Sequence, residues 1–380
     1  MSYWWLLGGI LFTIYGFFIL LYTYWLYQLP RFSYSGLPFG TSFTIIIPAR
    51  NEEQSIHHCL QSITQQNYPA HLYTIVVIND HSTDGTAAVV EEWKKKFSNI
   101  KLIHLHDVVQ DLPINSYKKL AVAHAVKNAE TDWIIATDAD CTFSPNWLAT
   151  FHAFITAKEP VFVAAPVQFV THNTVLGIFQ QLDFLSLQGI TAASVGAGFH
   201  SMCNGANIGY SKNAFETVEG FKGVDHIASG DDMLLMHKIK HAFPGKVQYL
   251  YHPDAVVSTQ PMFSWKSFFN QRIRWASKAD QYQDKSIMAV LIVVYLFNVW
   301  LFFTACCSVF NSSFLLAFGT LLLAKTLVEI IFMQRIAQFF GAVKALWWFP
   351  LMQPLHIIYT LIAGWLGKFG TYQWKGRQVK

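Results

Sequence analysis

"DWIIATDADCTF", residues 132–143, contains a short apolar run that leads directly into two aspartates, Asp138 and Asp140. The four apolar or small residues 133–136 are too few for a helix and predict a buried β-strand. Two like charges placed one residue apart repel each other unless a cation lies between them. The stretch therefore indicates either a solvated turn, where aspartate is common, or a metal site.

The 380-residue chain has the composition of a membrane protein that carries a globular part. Charged residues make up 13%, against about 25% in soluble proteins. The first 30 residues contain no Asp, Glu, Lys or Arg, and apolar runs return at 287–310, 314–333 and 345–367. Each run has about the 20 residues that a helix needs to cross the hydrocarbon core of a bilayer. Four parts are predicted: an N-terminal transmembrane helix at 1–30, a globular domain at 40–280, C-terminal membrane segments at 285–367 and a basic tail at 368–380.

The expected location is the cell (inner) membrane, which the chain is expected to cross more than once. Positive charge begins only at Arg31, after the first apolar segment, which places the globular domain in the cytoplasm. The first segment lacks a basic leader and a cleavage site, so it is expected to stay as an anchor. Pro350 and Pro354, followed by the basic tail, favour a re-entrant or interfacial position for 345–367 over a full crossing. The net charge of +4 suits an anionic membrane surface and does not predict nucleic-acid binding.

The globular part alternates strand and helix patterns, which predicts a mostly parallel, doubly wound α/β sheet of Rossmann type. Strands are expected at 43–48, 73–80, 100–105 and 132–138, and helices at 51–66, over the face formed by Val89, Val90, Trp93 and Phe97, and at 116–129. Ligands of such sheets bind at the carboxyl ends of the strands. Asp80, Asp138 and Asp140 all follow predicted strands, and this convergence favours the metal site over the turn.

Further candidate residues lie outside the strand ends. Asp231 and Asp232 occupy the first turn of a predicted helix, where they either stabilise the helix terminus or supply a general base. Gln271, Arg274 and Trp275 share one helix face, as interfacial anchors or as part of a site. Three further pairs have simpler explanations beside a functional one. Lys118 and Lys119 either contact phosphate or are solvated, and a solvated helix face explains His237 and His241. Lys325 and Glu329 are charged residues within an apolar segment, and they are either functional or paired with each other.

In this order, the motifs resemble those of the membrane-bound, inverting family 2 glycosyltransferases, which have the GT-A fold. The resemblance covers residues 43–276 and rests on six stretches: Pro48-Ala49-Arg50-Asn51-Glu52, Asn79-Asp80-His81-Ser82-Thr83-Asp84-Gly85, Lys118-Lys119-Leu120-Ala121, Asp138-Ala139-Asp140, Gly230-Asp231-Asp232 and Gln271-Arg272-Ile273-Arg274-Trp275. The chain departs from the usual pattern at Asn79, Tyr117 and Asp231, where many members have Asp, Gly and Glu.

The resemblance implies a role for each candidate residue. It also implies a nucleotide-sugar donor, and UDP-sugars are the favoured class. Asp138 and Asp140 would hold Mg²⁺ or Mn²⁺, and Asp232 would act as the general base beside Asp231. Residues 203–207 would form a loop on the acceptor side, and Arg274 would also act in catalysis. The implied donor-binding residues are Glu52, Asp80, Lys118, Asp138, Gln271, Arg274 and Trp275.

The expected acceptor is a membrane lipid that receives a single sugar. A processive polysaccharide synthase, the alternative within the family, needs a polar conduit through the bilayer, and at most four largely apolar spans do not readily enclose one. Residues 171–190 and 260–275 also suit helices that lie at the membrane face. A nucleotidyltransferase would need a glycine-rich loop after the first strand, where "ARNEEQ" has no glycine. A catalytically inactive membrane scaffold is disfavoured because every candidate acid is present.

Overall fold

The computed structural model describes residues 2–34, 36, 38–108, 117–200, 202–225, 227, 230–278, 282, 284–370, 372–374 and 377–379, with the backbone alone at 2, 117, 118 and beyond 370. The chain divides into two compact units. The first, which we call the sheet unit, comprises residues 30–170 and 201–260. The second, which we call the helical unit, comprises residues 1–29, 171–200 and 261–380.

Short strands carry the core of the sheet unit, and a further pair follows the last helix of the chain. Their bounds are β1 Phe43–Ala49, β2 Tyr73–Asn79, β3 Ile100–His104, β4 Trp133–Ala136, β5 Thr142–Phe143, β6 Phe162–Ala164, β7 Val167–Phe169, β8 Ile208–Ser211, β9 Val247–Tyr249, β10 Val257–Thr259, β11 Tyr372–Trp374 and β12 Arg377–Val379. Nearly every residue of β1 and β2 is buried, as expected for strands covered on both faces.

The α-helices of the described residues have at most 12 residues in the sheet unit, and in the helical unit all but α10 have more than 20. Their bounds are α1 Ser2–Gln28, α2 Ile56–Thr64, α3 Thr86–Lys96, α4 Leu105–Val108, α5 Tyr117–Lys127, α6 Trp147–Lys158, α7 Val175–Gly196, α8 Lys212–Thr217, α9 Asp231–Ala242, α10 Trp265–Ala276, α11 Lys285–Ser308, α12 Ser313–Phe339 and α13 Phe349–Phe369.

The main sheet has the strand order β3-β2-β1-β4-β8-β6-β9. β1 pairs in parallel with β2 and β4, β2 with β3, and β6 with β9, whereas β8 runs antiparallel to both of its neighbours. A smaller sheet, β5-β10-β7, lies beside it in the same unit. The prediction of a mostly parallel α/β sheet is confirmed, and the carboxyl ends of β1, β2 and β4 lie at one edge.

The helix expected at 51–66 is shorter than predicted, because α2 begins only at Ile56. Asn51 has φ +53°, outside the helical region. The N–H groups of residues 51–53 donate to side chains of the turn after β2 instead of opening a helix; their acceptors are Ser82 Oγ, Thr86 Oγ1 and Asp84 Oδ2. This stretch is therefore a loop shaped by tertiary contacts.

Four helices of the helical unit are long and apolar enough to cross a membrane. They comprise α1, α11, α12 and the stretch from Val343 to Phe369, in which a 3₁₀ turn leads into α13. Pro350 lies in the first turn of α13, where its missing N–H is tolerated, and the helix continues through Pro354. The structure thus gives 345–367 a continuous helical form, and its position relative to the bilayer stays a prediction.

The two compact units do not follow the linear boundaries expected from composition. Residues 171–200 and 261–278 fall within the predicted globular domain of 40–280, yet they belong to the helical unit. There α7 packs against α1 and α12, and α10 packs against α13. Their mixed apolar and polar composition resembles that of a globular core, so composition alone could not assign them.

A polar cluster lies within the helical unit. Lys325, whose side chain is fully buried, donates to Glu329 Oε1 at 2.7 Å and to Gln353 Oε1 at 2.6 Å. Gln353 Nε2 donates to Glu329 Oε2 at 2.6 Å, and the Tyr15 hydroxyl also donates to Glu329. Lys325 and Glu329 are paired along α12, as the simpler interpretation expected, and the cluster also joins α1 and α13.

Candidate functional site

Acidic side chains converge at the carboxyl edge of the sheet. Asp138 and Asp140 follow β4, and Asp80 follows β2 and is 6% exposed. Thr259 Oγ1, from β10, donates to Asp140 Oδ2 at 3.0 Å. The negative charges of Asp138 and Glu52 act on Asp140 and, together with its burial, raise its pKa from the ordinary value of 3.8 to about 6. Three carboxylates thus share a partly buried place at the ends of β1 and β4.

This arrangement makes the stability of the metal-free protein depend on pH through Asp140. Because its pKa is higher in the folded protein than in the unfolded chain, the folded state binds the proton more tightly. The resulting stabilisation is complete below about pH 4 and is lost as the pH rises through about 6, by at most about 3 kcal/mol. In EDTA, we expect the protein to unfold at a lower temperature at neutral pH than at about pH 5.

Asp140→Asn should remove most of this difference in thermal unfolding between the two pH values. Asp132→Asn, at an exposed acid just before β4, is the matched control and should leave it unchanged. An equal pH dependence in the Asp140 variant and the wild type would show that the charges at this edge are better solvated than their burial indicates.

Asp231 and Asp232 begin α9, and Gly230 precedes the helix with φ +82°. Both aspartates line a small cavity together with Pro48 of β1, Ala136 of β4 and Thr137. The carboxylate of Asp232 is held by two backbone groups: the Gly205 N–H donates to Oδ2 at 2.8 Å, and the Met233 N–H donates to Oδ1 at 2.9 Å. Each carboxylate oxygen can accept a second bond, so Asp232 is oriented and can still receive a proton.

The loop at 203–207, predicted to lie on the acceptor side, contacts this cavity at one residue and the protein core at another. Gly205 lines the cavity, and a Cβ added to it would lie 3.2 Å from Asp232 Oδ2, tighter than most such contacts. Asn207 is fully buried and donates to the carbonyls of Pro166 and Ala255. The loop therefore has one end at the candidate base and the other anchored in the core.

Asp80 lies in a turn with unusual backbone geometry. His81, directly after Asp80, has φ +53°. Its Nδ1 lies 2.9 Å from Asp80 Oδ1, and Arg50 Nη1 donates to the Asp80 carbonyl oxygen at 3.0 Å. A non-glycine residue with positive φ is strained and persists where surrounding contacts hold it. The structure therefore holds Asp80 between residues of two loops at the edge of the sheet.

Of the two adjacent lysines of α5, Lys119 differs from the prediction of phosphate contact or solvation, and the prediction for Lys118 stays a prediction. The Lys118 side chain lies outside the described residues. Lys119 is 2% exposed and donates to the carbonyl oxygens of Val224 and Ile227. Lys119 is therefore bound to backbone oxygens, because its position on α5 faces the protein interior. Of the histidines set aside earlier, His237 and His241 both lie on α9, as expected.

Gln271, Arg274 and Trp275 lie on α10 of the helical unit, and their predicted roles toward the donor stay predictions. Within that unit, Gln271 Oε1 accepts a bond from Arg272 Nη1 at 2.7 Å. The Arg272 guanidinium lies 4.3 Å from the centroid of the Trp275 ring and pairs with Asp183 at 2.7 Å. One face of Trp275 is therefore covered by a neighbour on its own helix.

Sequence reasoning missed Arg272, Asp183, Lys119 and Thr259 as residues that hold candidate groups in place. Asp183 had a detectable signal, because it is a single acid in the long apolar stretch of α7. Arg272 lies within the Gln-x-x-Arg-Trp motif and could have been chosen for its need of a partner. Nothing in the local sequence indicates the contact between Thr259 and Asp140.

Two family models match the chain. The description "Glycosyl transferase family group 2" matches residues 133–366, and "Glycosyl transferase family 2" matches residues 44–218. The poly-beta-1,6-N-acetyl-D-glucosamine synthase of Staphylococcus epidermidis is 26% identical over 241 residues, 62% of this chain and 54% of that protein. The 4,4'-diaponeurosporenoate glycosyltransferase of Staphylococcus aureus is 43% identical over 103 residues, 27% of this chain and 24% of that protein.

Among solved structures, the mannosyltransferase PcManGT of Pyrobaculum calidifontis, in complex with GDP-Man and Mn²⁺, is similar along nearly its whole length. The TM-score is 0.57 at 17% identity, over 96% of this chain and 98% of that one. This likeness shows that the GT-A fold is shared. The chain spans about half the length of the curated relatives with the longest matches.

Proposed function

The chain belongs to the family 2 glycosyltransferases. On that premise we propose that it transfers a single sugar from a nucleotide-sugar, with UDP-sugars as the favoured donors, to a membrane lipid. The observation that carries this proposal is the cavity at the carboxyl edge of the sheet. It brings Asp231 and Asp232 together with the ends of β1 and β4, directly before Asp138 in the chain. A proton acceptor thus shares one cavity with the backbone stretch that leads into Asp138, and transfer from a diphosphate donor uses both a base and metal-binding carboxylates.

In the proposed reaction, Asp232 accepts the proton of the acceptor hydroxyl as that oxygen attacks the anomeric carbon of the sugar. The new bond forms on the face opposite the diphosphate, the bond from carbon to the phosphate oxygen breaks, and the configuration inverts. Asp231 supplies a second negative charge beside the base, which favours the protonated form of its neighbour. Because two backbone N–H groups hold Asp232, little reorientation is needed when the acceptor arrives.

The proposed donor site uses the other residues of the sheet edge. Glu52 and Asp80 hold the nucleoside, and Lys118 contacts the diphosphate. By the family resemblance alone, Arg274 would stabilise the negative charge that grows on the leaving group, and Gln271 and Trp275 would also bind the donor. These roles follow from the resemblance and are supported by the position of Asp80 and Glu52 at the ends of β2 and β1.

The acids after β4 fit a divalent cation, Mg²⁺ or Mn²⁺. The pKa of Asp140 is raised first by burial and then by the negative charges of Asp138 and Glu52, and a cation would neutralise these charges. Within the described residues no three His, Cys, Asp or Glu side chains form a metal site on their own, which suits cations that take one or two carboxylates and complete their coordination with phosphate oxygens. When bound, such an ion neutralises charge on the leaving diphosphate. Asp138 and Asp140 would hold it, and PcManGT is described with Mn²⁺.

A lipid acceptor is favoured by the helical unit and by one relative. Four helices are long and apolar enough to cross a membrane, so we propose that the protein acts at a lipid surface. The 4,4'-diaponeurosporenoate glycosyltransferase, whose name gives 4,4'-diaponeurosporenoate and not a polysaccharide as its acceptor, is 43% identical over its matched 103 residues. A cytoplasmic position for the sheet unit stays a prediction from the charge distribution.

The deciding experiment is product analysis with the full chain in lipid vesicles. A panel of UDP- and GDP-sugars is supplied with and without a lipid extract and with and without EDTA, and release of nucleotide is measured. We expect metal-dependent release and a chloroform-extractable lipid that carries one sugar. A long water-soluble polymer would instead assign the processive synthase activity that the Staphylococcus epidermidis relative's name describes. No release with any donor would point to an inactive scaffold.

A further inference from the structure

Lys119 is a buried cation that binds backbone oxygens close to the candidate base. Its Nζ donates to Val224 O at 2.5 Å and to Ile227 O at 2.7 Å, and the residue is 2% exposed. An ammonium group is strongly disfavoured in a protein interior unless acceptors surround it. The segment that carries these two carbonyl oxygens therefore supplies acceptors that the buried ammonium group of Lys119 needs.

That segment, which we call the approach loop, comprises residues 219–230, of which 226, 228 and 229 lie outside the described residues, and in the sequence it precedes Asp231. Its described part is a succession of turns: the N–H groups of Lys222, Val224 and Ile227 donate to the carbonyls of Glu219, Phe221 and Val224. The backbone has positive φ at Glu219, Gly220, Gly223 and Gly230. No sheet neighbour is recorded for its described residues, so side-chain donors help to set where its carbonyl groups point.

The approach loop and α5 also form part of the cavity that holds the candidate base. Phe221 of the loop and Val122 of α5 line it together with Asp231 and Asp232. Val122 lies three positions after Lys119, and residues with this spacing share a helix face. Lys119 thus connects one wall of the cavity to the loop that ends at the base.

We propose that Lys119 is a positioning residue for the transfer reaction: it holds the end of the approach loop so that α9 starts with Asp232 directed at the acceptor. The inference rests on the proposed function, because it assigns Lys119 an effect through the base. Small displacements of a general base lower the rate strongly, since proton transfer requires the two oxygen atoms to be within hydrogen-bond reach.

Lys238 supplies a matched control on the same loop. It lies on α9, and its Nζ donates to Gly220 O at 2.6 Å and to Lys222 O at 2.9 Å. Lys238→Met therefore removes a lysine and two bonds to loop carbonyls, as Lys119→Met does. It does so at the start of the loop, away from the end that adjoins Asp231.

The kinetic test uses the full chain in lipid vesicles with the donor and lipid extract that give the highest release of nucleotide. We expect Lys119→Met to lower kcat about 10- to 100-fold and to change the dissociation constant of the nucleoside diphosphate less than about threefold. Lys238→Met should stay within about threefold of the wild type in kcat. Lys119→Arg, which keeps the charge and the donors, should recover part of the loss.

A double variant separates positioning from general destabilisation. If Lys119 acts through Asp232, adding Lys119→Met to Asp232→Asn should lower kcat no further, because residues that act as one unit are not additive. A full multiplicative loss in the double variant, or equal kcat values for the two lysine variants, would overturn the inference.

Hydrogen exchange gives a readout that needs no activity. In Lys119→Met, the amides of Ile227 and of the first turn of α9 should exchange at least about tenfold faster than in Lys238→Met. Unchanged protection there would overturn the inference even if the enzyme is active. Conversely, a wild type that releases no nucleotide would overturn the proposed function, while the exchange result still decides whether Lys119 holds the loop.

Discussion

Asp232→Asn is expected to lower the turnover number about 10²- to 10⁴-fold, the usual contribution of a general base. The amide cannot take the proton of the acceptor hydroxyl. The substitution also replaces one of the two accepting oxygens by an NH₂ donor. Because the N–H groups of Gly205 and Met233 each donate to one of these oxygens, the new donor would face one of them. Binding of the nucleoside diphosphate should change little, because the donor site is built from other residues. Single-turnover kinetics and calorimetric titration with UDP or GDP measure the two quantities.

Asp231→Asn is the matched comparison, one position earlier on the same turn of α9 and on the same cavity. It should reduce the rate less, because the residue contributes charge and not proton transfer. The opposite order, an inactive Asp231 variant beside an active Asp232 variant, would assign the base to Asp231.

Breaking the polar cluster of the helical unit is expected to have the largest effect on stability. Lys325→Met leaves the carboxylate of Glu329 buried without its cation, and loss of one partner of a buried ion pair costs about 3–5 kcal/mol. The hydroxyl of Tyr15 and the amide of Gln353 still donate to Glu329, but neither neutralises the charge. Unfolding in detergent, followed by the loss of helical circular dichroism, measures the change in free energy.

Two further variants make the result specific to the buried pair. Lys325→Met combined with Glu329→Leu should recover much of the loss, because replacing both charges by apolar groups is often neutral. Lys94→Met removes the partner of Glu91 at 3.2 Å in an exposed pair on α3, and should cost no more than about 1 kcal/mol. A Lys325 variant as mild as the Lys94 variant would mean that water reaches the cluster.

The fold class and the positions of the principal acids could be predicted because they depend on local pattern. Strands that are buried on both faces have continuous apolar sequences, and β1 and β4 are examples. The carboxyl end of each strand is the position where its apolar run ends. The strand pattern alone therefore places Asp80, Asp138 and Asp140 at one edge of the sheet. Asp231 and Asp232 were likewise placed at a helix start, which follows from Gly230 and the pattern after it.

Sequence by itself determined that this protein has a mostly parallel α/β sheet with acids at its carboxyl edge, together with apolar helices of membrane-spanning length. Only the tertiary structure decided that α2 starts at Ile56, that Lys119 binds the approach loop, and that α7 and α10 pack with the apolar helices. The physical reason is the range of the interactions. Apolar runs and helix starts depend on residues a few positions apart, whereas Lys119 meets carbonyls more than 100 positions away, and no local pattern encodes such a partner.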